Sequence, residues 1–228
     1  MELEKTKDRY LSIITNFGCH YSCPYCVVKN CGIDVPKTTV EGLHGLEEAI
    51  RKYDCNWVSI SGGGDPFYKL EEHSDWWNEL FDITFNSDLD VKLELHTSYL
   101  SDDYVDEDGV SVFWPFNRVV YHCRKPSDLF QIKRFGGQIV RAVFVVTEDF
   151  TEEMIDEIAA IAKHHPYIDE LSFRQMIDSN YQPTYYCGAY LQAGHQKKWW
   201  YIEQCDYNIY YAENEVRFKY EDFKRKED

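Results

Sequence analysis

The chain has 228 residues, of which 44% are hydrophobic and 16% aromatic, and this composition supplies a substantial core and excludes a disordered chain. The formal net charge of −16 argues against a role in binding duplex nucleic acid, because such binding depends on Lys and Arg replacing counterions. No stretch approaches the roughly 20 apolar residues that cross a bilayer, and the charged first five residues lack the apolar segment of a secretory signal. We therefore expect a cytoplasmic protein without a membrane partner.

Alternating hydrophobic patterns predict about six β-α units. The predicted strands cover residues 11–15, 57–60, 91–96, 117–123, 139–146 and 170–175. Helices are predicted from Thr38, over residues 70–85, over residues 126–135, and from about Met154 to Ile161. Such alternation is typical of a parallel sheet with helices outside it, and six units are too few for a closed eight-stranded barrel. The expected fold class is α/β, as a partial (β/α)6 barrel.

The composition changes after residue 178, where half of the 18 tyrosines lie. We expect residues 1–178 to form the core. Residues 179–228 are expected to form a short, aromatic-rich C-terminal extension or cap.

Eight cysteines in a chain without an export signal favour metal or redox chemistry over a disulfide framework. Cys19, Cys23 and Cys26 follow the first predicted strand and are separated by three and two residues. Three thiolates hold three irons of a cubane and leave the fourth iron open to a substrate or cofactor. Zinc is the alternative, with Cys31 as the fourth ligand of a closed site in a non-catalytic interaction module.

The segment from Cys19 to Cys26, with Tyr25 before the last cysteine, resembles the cluster motif of the radical S-adenosylmethionine superfamily. The resemblance implies that Cys19, Cys23 and Cys26 hold a [4Fe–4S] cluster. It also implies that S-adenosylmethionine chelates the open iron and that Tyr25 lies against the adenine.

Two further segments extend the resemblance, which covers residues 11 to about 176. The run from Ser61 to Pro66 looks like the Gly-Gly-Glu-Pro element of the family, which binds the methionine amino group, although an aspartate replaces the glutamate. This likeness assigns to the cofactor Gly62, Gly63, Gly64 and Asp65. The predicted third strand is similar in position to the family strand that contacts the ribose. This similarity implies that three residues at its end bind the cofactor, namely His96, Thr97 and Ser98.

Strand alternation predicts which side chains face the interior of the sheet. The interior candidates for substrate binding are Lys92, Glu94, His122 and Arg174. Arg141 and Arg174 are predicted to anchor carboxylates or other anionic groups, Arg141 as part of the cofactor site, because guanidinium binds such groups in a bidentate manner. Pairing of these charged side chains with one another is the alternative.

The resemblance implies an enzyme that reductively cleaves S-adenosylmethionine, using an external electron donor of the flavodoxin or ferredoxin type. The resulting 5′-deoxyadenosyl radical would abstract hydrogen from a small polar or nucleotide-like substrate. Size and minimal core are similar to those of the 7-carboxy-7-deazaguanine synthases, which need magnesium, and of the glycyl-radical activating enzymes, which act on a protein loop. Modification of a peptide is a further alternative. Val27 and Val28 stand where the deazaguanine synthases have a magnesium-binding threonine, so magnesium is not supported.

Overall fold

The computed structural model describes residues 8–100, 111–194, 199–202 and 209–223. The chain divides into two compact units. The first unit combines residues 1–21, 33–94 and 206–228, and the second combines residues 22–32 and 95–205. No helix in the described part of the chain has both the length and the apolar character of a membrane span.

Regular elements alternate along most of the chain. The strands are β1 (Tyr10–Thr15), β2 (Trp57–Gly62), β3 (Lys92–Thr97), β4 (Arg118–Cys123), β5 (Ile139–Val146), β6 (Glu170–Gln175), β7 (Trp200–Ile202), β8 (Ile209–Ala212) and β9 (Glu215–Arg217). The α-helices are α1 (Val27–Asn30), α2 (Leu46–Tyr53), α3 (Ser74–Phe85), α4 (Glu152–His164) and α5 (Gly188–Gly194). Short 3-10 helices cover Glu41–Leu43, Leu70–His73, Pro126–Gln131 and Tyr220–Phe223.

The first unit has the strand order β3-β2-β1-β8-β9, in which the first half of β3 belongs to this unit. Strand β1 runs parallel to β2, with Thr15 opposite Gly62, and parallel to β8, whereas β8 and β9 form an antiparallel hairpin. Because β1 and β2 are parallel, the loops that follow them leave the same edge of the sheet. Helices α2 and α3 bury apolar side chains in this unit, namely Leu46, Ala49, Ile50, Trp76, Trp77 and Leu80.

The second unit has the strand order β7-β6-β5-β4-β3, and it includes the second half of β3. The neighbours β4 and β5, β5 and β6, and β6 and β7 pair in parallel, with Arg141 opposite Glu170. Helix α4 begins after Thr151, whose side chain accepts a hydrogen bond from the Met154 N–H and so satisfies one of the free amides of the first turn. Its apolar face is buried through Ile155, Ile158, Ala159 and Ala162.

The structure confirms a mixed α/β fold with mostly parallel strands, and all six predicted strands are present within one or two residues of their predicted ends. Among the strands that the structure describes, the order in each unit does not return to its starting strand. The curvature of a partial barrel therefore stays a prediction. Residues 179–228 contribute β7, which pairs with β6, and the β8–β9 hairpin, which pairs with β1.

The helix predicted from Thr38 begins later, at Leu46, after a 3-10 turn. In the preceding segment the Thr39 N–H and hydroxyl donate to the Glu213 carboxylate, and Thr39 Oγ1 accepts the Gly42 N–H. These bonds to the β8–β9 hairpin hold the segment outside the helix. The helix predicted over residues 126–135 is a 3-10 helix that ends at Gln131.

Candidate functional site

The three motif cysteines lie on the loop that follows β1. Cys19 is exposed, Cys23 and Cys26 are half-buried, and none of the three forms a disulfide. The Cys19 sulfur accepts the Tyr21 N–H at 3.4 Å, and the Cys26 N–H donates to the Cys23 carbonyl at 3.2 Å, directly before α1. The motif therefore presents solvent-accessible thiols on a turn at the carboxyl end of a parallel strand.

The donor chemistry of this loop fits an iron–sulfur cluster, because three cysteine thiols with short spacings are the protein ligands that such a cluster takes. Within the described ranges, no three His, Cys, Asp or Glu side chains lie close enough together to hold a metal ion. A cluster bound by all three thiols is therefore a proposal.

Tyr25 lies in a charged environment in the second unit. Burial raises the pKa of the Tyr25 phenol well above its usual value, and the neighbouring Cys23 raises it further. Consequently Tyr25 keeps its proton at neutral pH.

Two charged residues that follow β4 contribute to the electrostatics at Tyr25, and neither was predicted from the sequence. Asp128 is 1% exposed and accepts the Arg124 N–H at 2.8 Å, while the Arg124 guanidinium lies 3.7 Å from the same carboxylate. The charge of Arg124 lowers the pKa of Tyr25, whereas that of Asp128 raises it. Their position directly after a predicted strand, where sites of α/β folds lie, was the signal that could have identified them.

Cys31, the candidate fourth ligand of a zinc site, is turned into the second unit. Its side chain is 8% exposed, and its sulfur donates to the Asp178 carbonyl at 3.0 Å. Cys55 and Cys123 are buried as well, and burial raises the pKa of each thiol. These three cysteines behave as core residues, whereas Cys205 lies outside the described residues.

The glycine run after β2 packs against the loop that follows β1. The Gly63 N–H donates to the Thr15 carbonyl at 2.6 Å. A Cβ atom added at Gly62 would lie 2.7 Å from Thr15 Oγ1, and one added at Gly64 would overlap the Gly18 carbonyl oxygen. Because glycine has no Cβ, the two loop backbones can meet at this point. The glycines thus have a packing role besides their predicted contact with the cofactor.

Asp65 is buried at the end of this run, with 3% of its surface exposed. Its N–H donates to the Gly18 carbonyl at 2.9 Å, and its Oδ1 accepts the Phe67 N–H at 2.9 Å. The other carboxylate oxygen lies 3.8 Å from His20 Nε2. The structure therefore brings Asp65 together with the residues next to Cys19.

The first half of β3 carries two of the predicted substrate residues, in different environments. Lys92 is exposed, and its ammonium lies 5.3 Å from the centre of the Trp57 ring. Glu94 is 4% exposed and accepts a hydrogen bond from Ser59 Oγ at 3.0 Å. Glu94 is therefore a buried polar group, while Lys92 lies at the amino end of its strand.

A histidine pair lies in the second unit, on the neighbouring strands β3 and β4. His96 Nδ1 and His122 Nε2 are 3.0 Å apart, so the two imidazoles share a hydrogen bond. Thr97 follows on the opposite face of β3, is 1% exposed and accepts the Tyr99 N–H, and Ser98 is half-buried just beyond the strand. The structure brings the two predicted histidines together on one face of the sheet.

The two predicted arginine anchors lie apart along their strands. The guanidinium of Arg141 pairs with the Glu170 carboxylate at 2.6 Å, and Arg118 lies 3.4 Å from the same carboxylate. Glu170 and Arg118 are the first residues of β6 and β4, so this ion pair lies toward the amino ends of the strands. Arg174 is exposed near the carboxyl end of β6. Pairing with Glu170 accounts for the half-buried charge of Arg141, and its contact with the cofactor stays a prediction.

No protein-family model matches this chain, and no curated protein matches it. A function for this chain is therefore inferred from the geometry of the loops that follow β1 and β2 and from the resemblance of their residues to known motifs.

Proposed function

We propose that the chain is a radical S-adenosylmethionine enzyme that acts on a small polar or nucleotide-like substrate. The observation that carries this proposal is the packing of the two motif-bearing loops against each other. The Asp65 N–H donates to the carbonyl of Gly18, the residue before Cys19, and the Gly63 N–H donates to Thr15. Two segments that resemble separate motifs of one family thus meet at the carboxyl edge of β1 and β2, where α/β folds bind their ligands.

In this proposal Cys19, Cys23 and Cys26 hold a [4Fe–4S] cluster. When bound, the cluster supplies the electron for reductive cleavage of S-adenosylmethionine to a radical that removes hydrogen from the substrate. Tyr25 offers a half-buried aromatic ring on the same loop for contact with an adenine. The contact of Cys31 with Asp178 disfavours the closed zinc site, because it occupies the thiol that would be the fourth ligand.

Hydrogen-bonded polar side chains on β2 and β3 of the first unit, and on β3 and β4 of the second, support a polar substrate. The His96–His122 pair offers imidazole nitrogens, and the Glu94–Ser59 pair offers a buried carboxylate. Buried polar groups persist in a fold when they are hydrogen-bonded by the protein or by a ligand. An external donor of the flavodoxin or ferredoxin type, a cytoplasmic location and the curvature of a partial barrel belong to the same proposal.

Anaerobic reconstitution with iron and sulfide tests the proposal. We expect a brown protein that, after reduction, converts S-adenosylmethionine to methionine and 5′-deoxyadenosine, measured by mass spectrometry. Cys23→Ala should abolish both the colour and the cleavage. The control Cys187→Ala should retain them, because the Cys187 thiol is outside the motif and donates to the Phe150 carbonyl.

Cleavage by the Cys23→Ala protein, or a colourless protein that holds only zinc, would contradict the proposal. Deuterium transfer from labelled candidate substrates into 5′-deoxyadenosine then identifies the substrate class. Transfer from a peptide rather than from a small polar molecule would replace the substrate proposed here with a peptide.

A further inference from the structure

Asp65 contacts the residues on both sides of Cys19. Its N–H donates to the Gly18 carbonyl at 2.9 Å, and its carboxylate lies 3.8 Å from the imidazole of His20. All of these groups belong to the first unit. Asp65, at the end of the glycine run, is thus close to the backbone of the residue before Cys19 and to the side chain of the residue after it.

The carboxylate of Asp65 is directed toward the protein. It is 3% exposed, one of its oxygens accepts the Phe67 N–H at 2.9 Å, and the other is the one nearest His20. A side chain in this environment is poorly placed to reach a ligand in the opening of the site. Its contacts are those of a group that orders the surrounding loops.

We infer that Asp65 is a positioning residue for Cys19: it fixes the orientation of the first cluster ligand and does not itself touch the cofactor. The inference deepens the proposed function and rests on it, because a cluster is what Cys19 is positioned to bind. Outer residues that orient metal ligands commonly change metal affinity by about 10–100-fold when they are removed.

The geometry also gives a reason for an aspartate at this position. An aspartate carboxylate reaches the N–H two residues ahead in its own loop, as Asp65 does with Phe67. A glutamate would add a methylene at a position where Asp65 is only 3% exposed, and such overpacking is unfavourable. The departure from the family element therefore follows from the local turn.

Hydrogen exchange of the metal-free protein tests the loop ordering directly. Three variants are compared with the unsubstituted chain: Asp65→Ala, the isosteric Asp65→Asn, and the control Asp75→Ala, which alters an exposed aspartate in α3. In Asp65→Ala the Phe67 amide should exchange about fivefold faster, the factor that corresponds to one typical net hydrogen bond. Asp65→Asn should restore protection, because the amide oxygen can accept the same N–H.

Cluster retention and cofactor affinity of the reconstituted protein test the positioning role. The metal affinity of Asp65→Ala should be about tenfold lower than that of the unsubstituted chain, so this variant should lose iron to a chelator. Asp65→Asn and Asp75→Ala should retain their iron. For protein that carries the full cluster, Asp65→Asn should bind S-adenosylmethionine with unchanged Kd. An Asp65→Asn protein with an intact cluster and about tenfold weaker cofactor binding would show that the carboxylate touches the cofactor, which would overturn the inference.

The inference also fails if Asp65→Ala matches the unsubstituted chain both in the exchange rate of the Phe67 amide and in the retention of iron. If the proposed function is wrong, the result is different, because the unsubstituted chain itself then assembles no [4Fe–4S] cluster. In that case the exchange experiment still decides whether the Asp65 carboxylate orders its own loop after β2, because it uses metal-free protein throughout.

Discussion

A single methyl group at Gly64 tests the packing of the two loops. In Gly64→Ala the added Cβ would overlap the Gly18 carbonyl oxygen and lie 2.6 Å from the carbonyl carbon. Both atoms belong to the backbone, so no side-chain rotation can relieve the contact. One loop has to move away from the other, and the move weakens the hydrogen bonds that Asp65 and Gly63 donate to Gly18 and Thr15.

Overpacking of this kind costs typically 1–3 kcal/mol, and we expect about 2 kcal/mol here, since the contact is with rigid backbone. For a chain of this size, 1 kcal/mol corresponds to a change in Tm of about 2–4 °C, so the Tm of Gly64→Ala should fall by about 4–8 °C. The assay is thermal unfolding of the metal-free protein, followed by circular dichroism under anaerobic conditions.

Gly137→Ala is the matched control. A Cβ at this exposed glycine meets no atom within 4 Å, and its φ lies outside the left-handed region. This substitution should leave the Tm unchanged or raise it slightly, because alanine lowers the entropy of the unfolded chain. A Gly64→Ala protein as stable as Gly137→Ala would refute the loop packing described here.

Three further predictions concern the cysteines and the ion pair. Iodoacetamide should alkylate the exposed Cys19 in metal-free protein at pH 8 and leave Cys123 unmodified, because burial raises the pKa of the Cys123 thiol. Peptide mass spectrometry measures the modification, and a protein in which Cys123 is modified first would be inconsistent with this burial. Cys31→Ala should bind as much iron as the unsubstituted chain, and a loss of metal on elemental analysis would instead support a four-cysteine site. A double-mutant cycle of Arg141→Gln and Glu170→Gln, measured by urea unfolding, should give a coupling of about 1 kcal/mol, and a coupling near zero would contradict a stabilising ion pair.

The sequence by itself determined the strands and the motifs. The β-branched run of β5 and the pattern of β6 predicted both strands with their observed ends, because side-chain alternation and β propensity are local properties. The cysteine spacing and the glycine run were likewise visible without coordinates, since each depends on residues that are neighbours along the chain.

Only the tertiary structure decided how distant residues meet. Glu213 accepts hydrogen bonds from Thr39, 174 residues away, and these bonds replace the first turns of a helix that the local pattern favours. In the same way, the partner of Arg141, the inward direction of the Asp65 carboxylate and the close approach of Gly64 to Gly18 depend on which strands lie side by side. The position of a residue in the periodic pattern determines which face of its helix or strand the side chain lies on. The partner of that side chain depends on how distant segments pack, and the local sequence does not encode this packing.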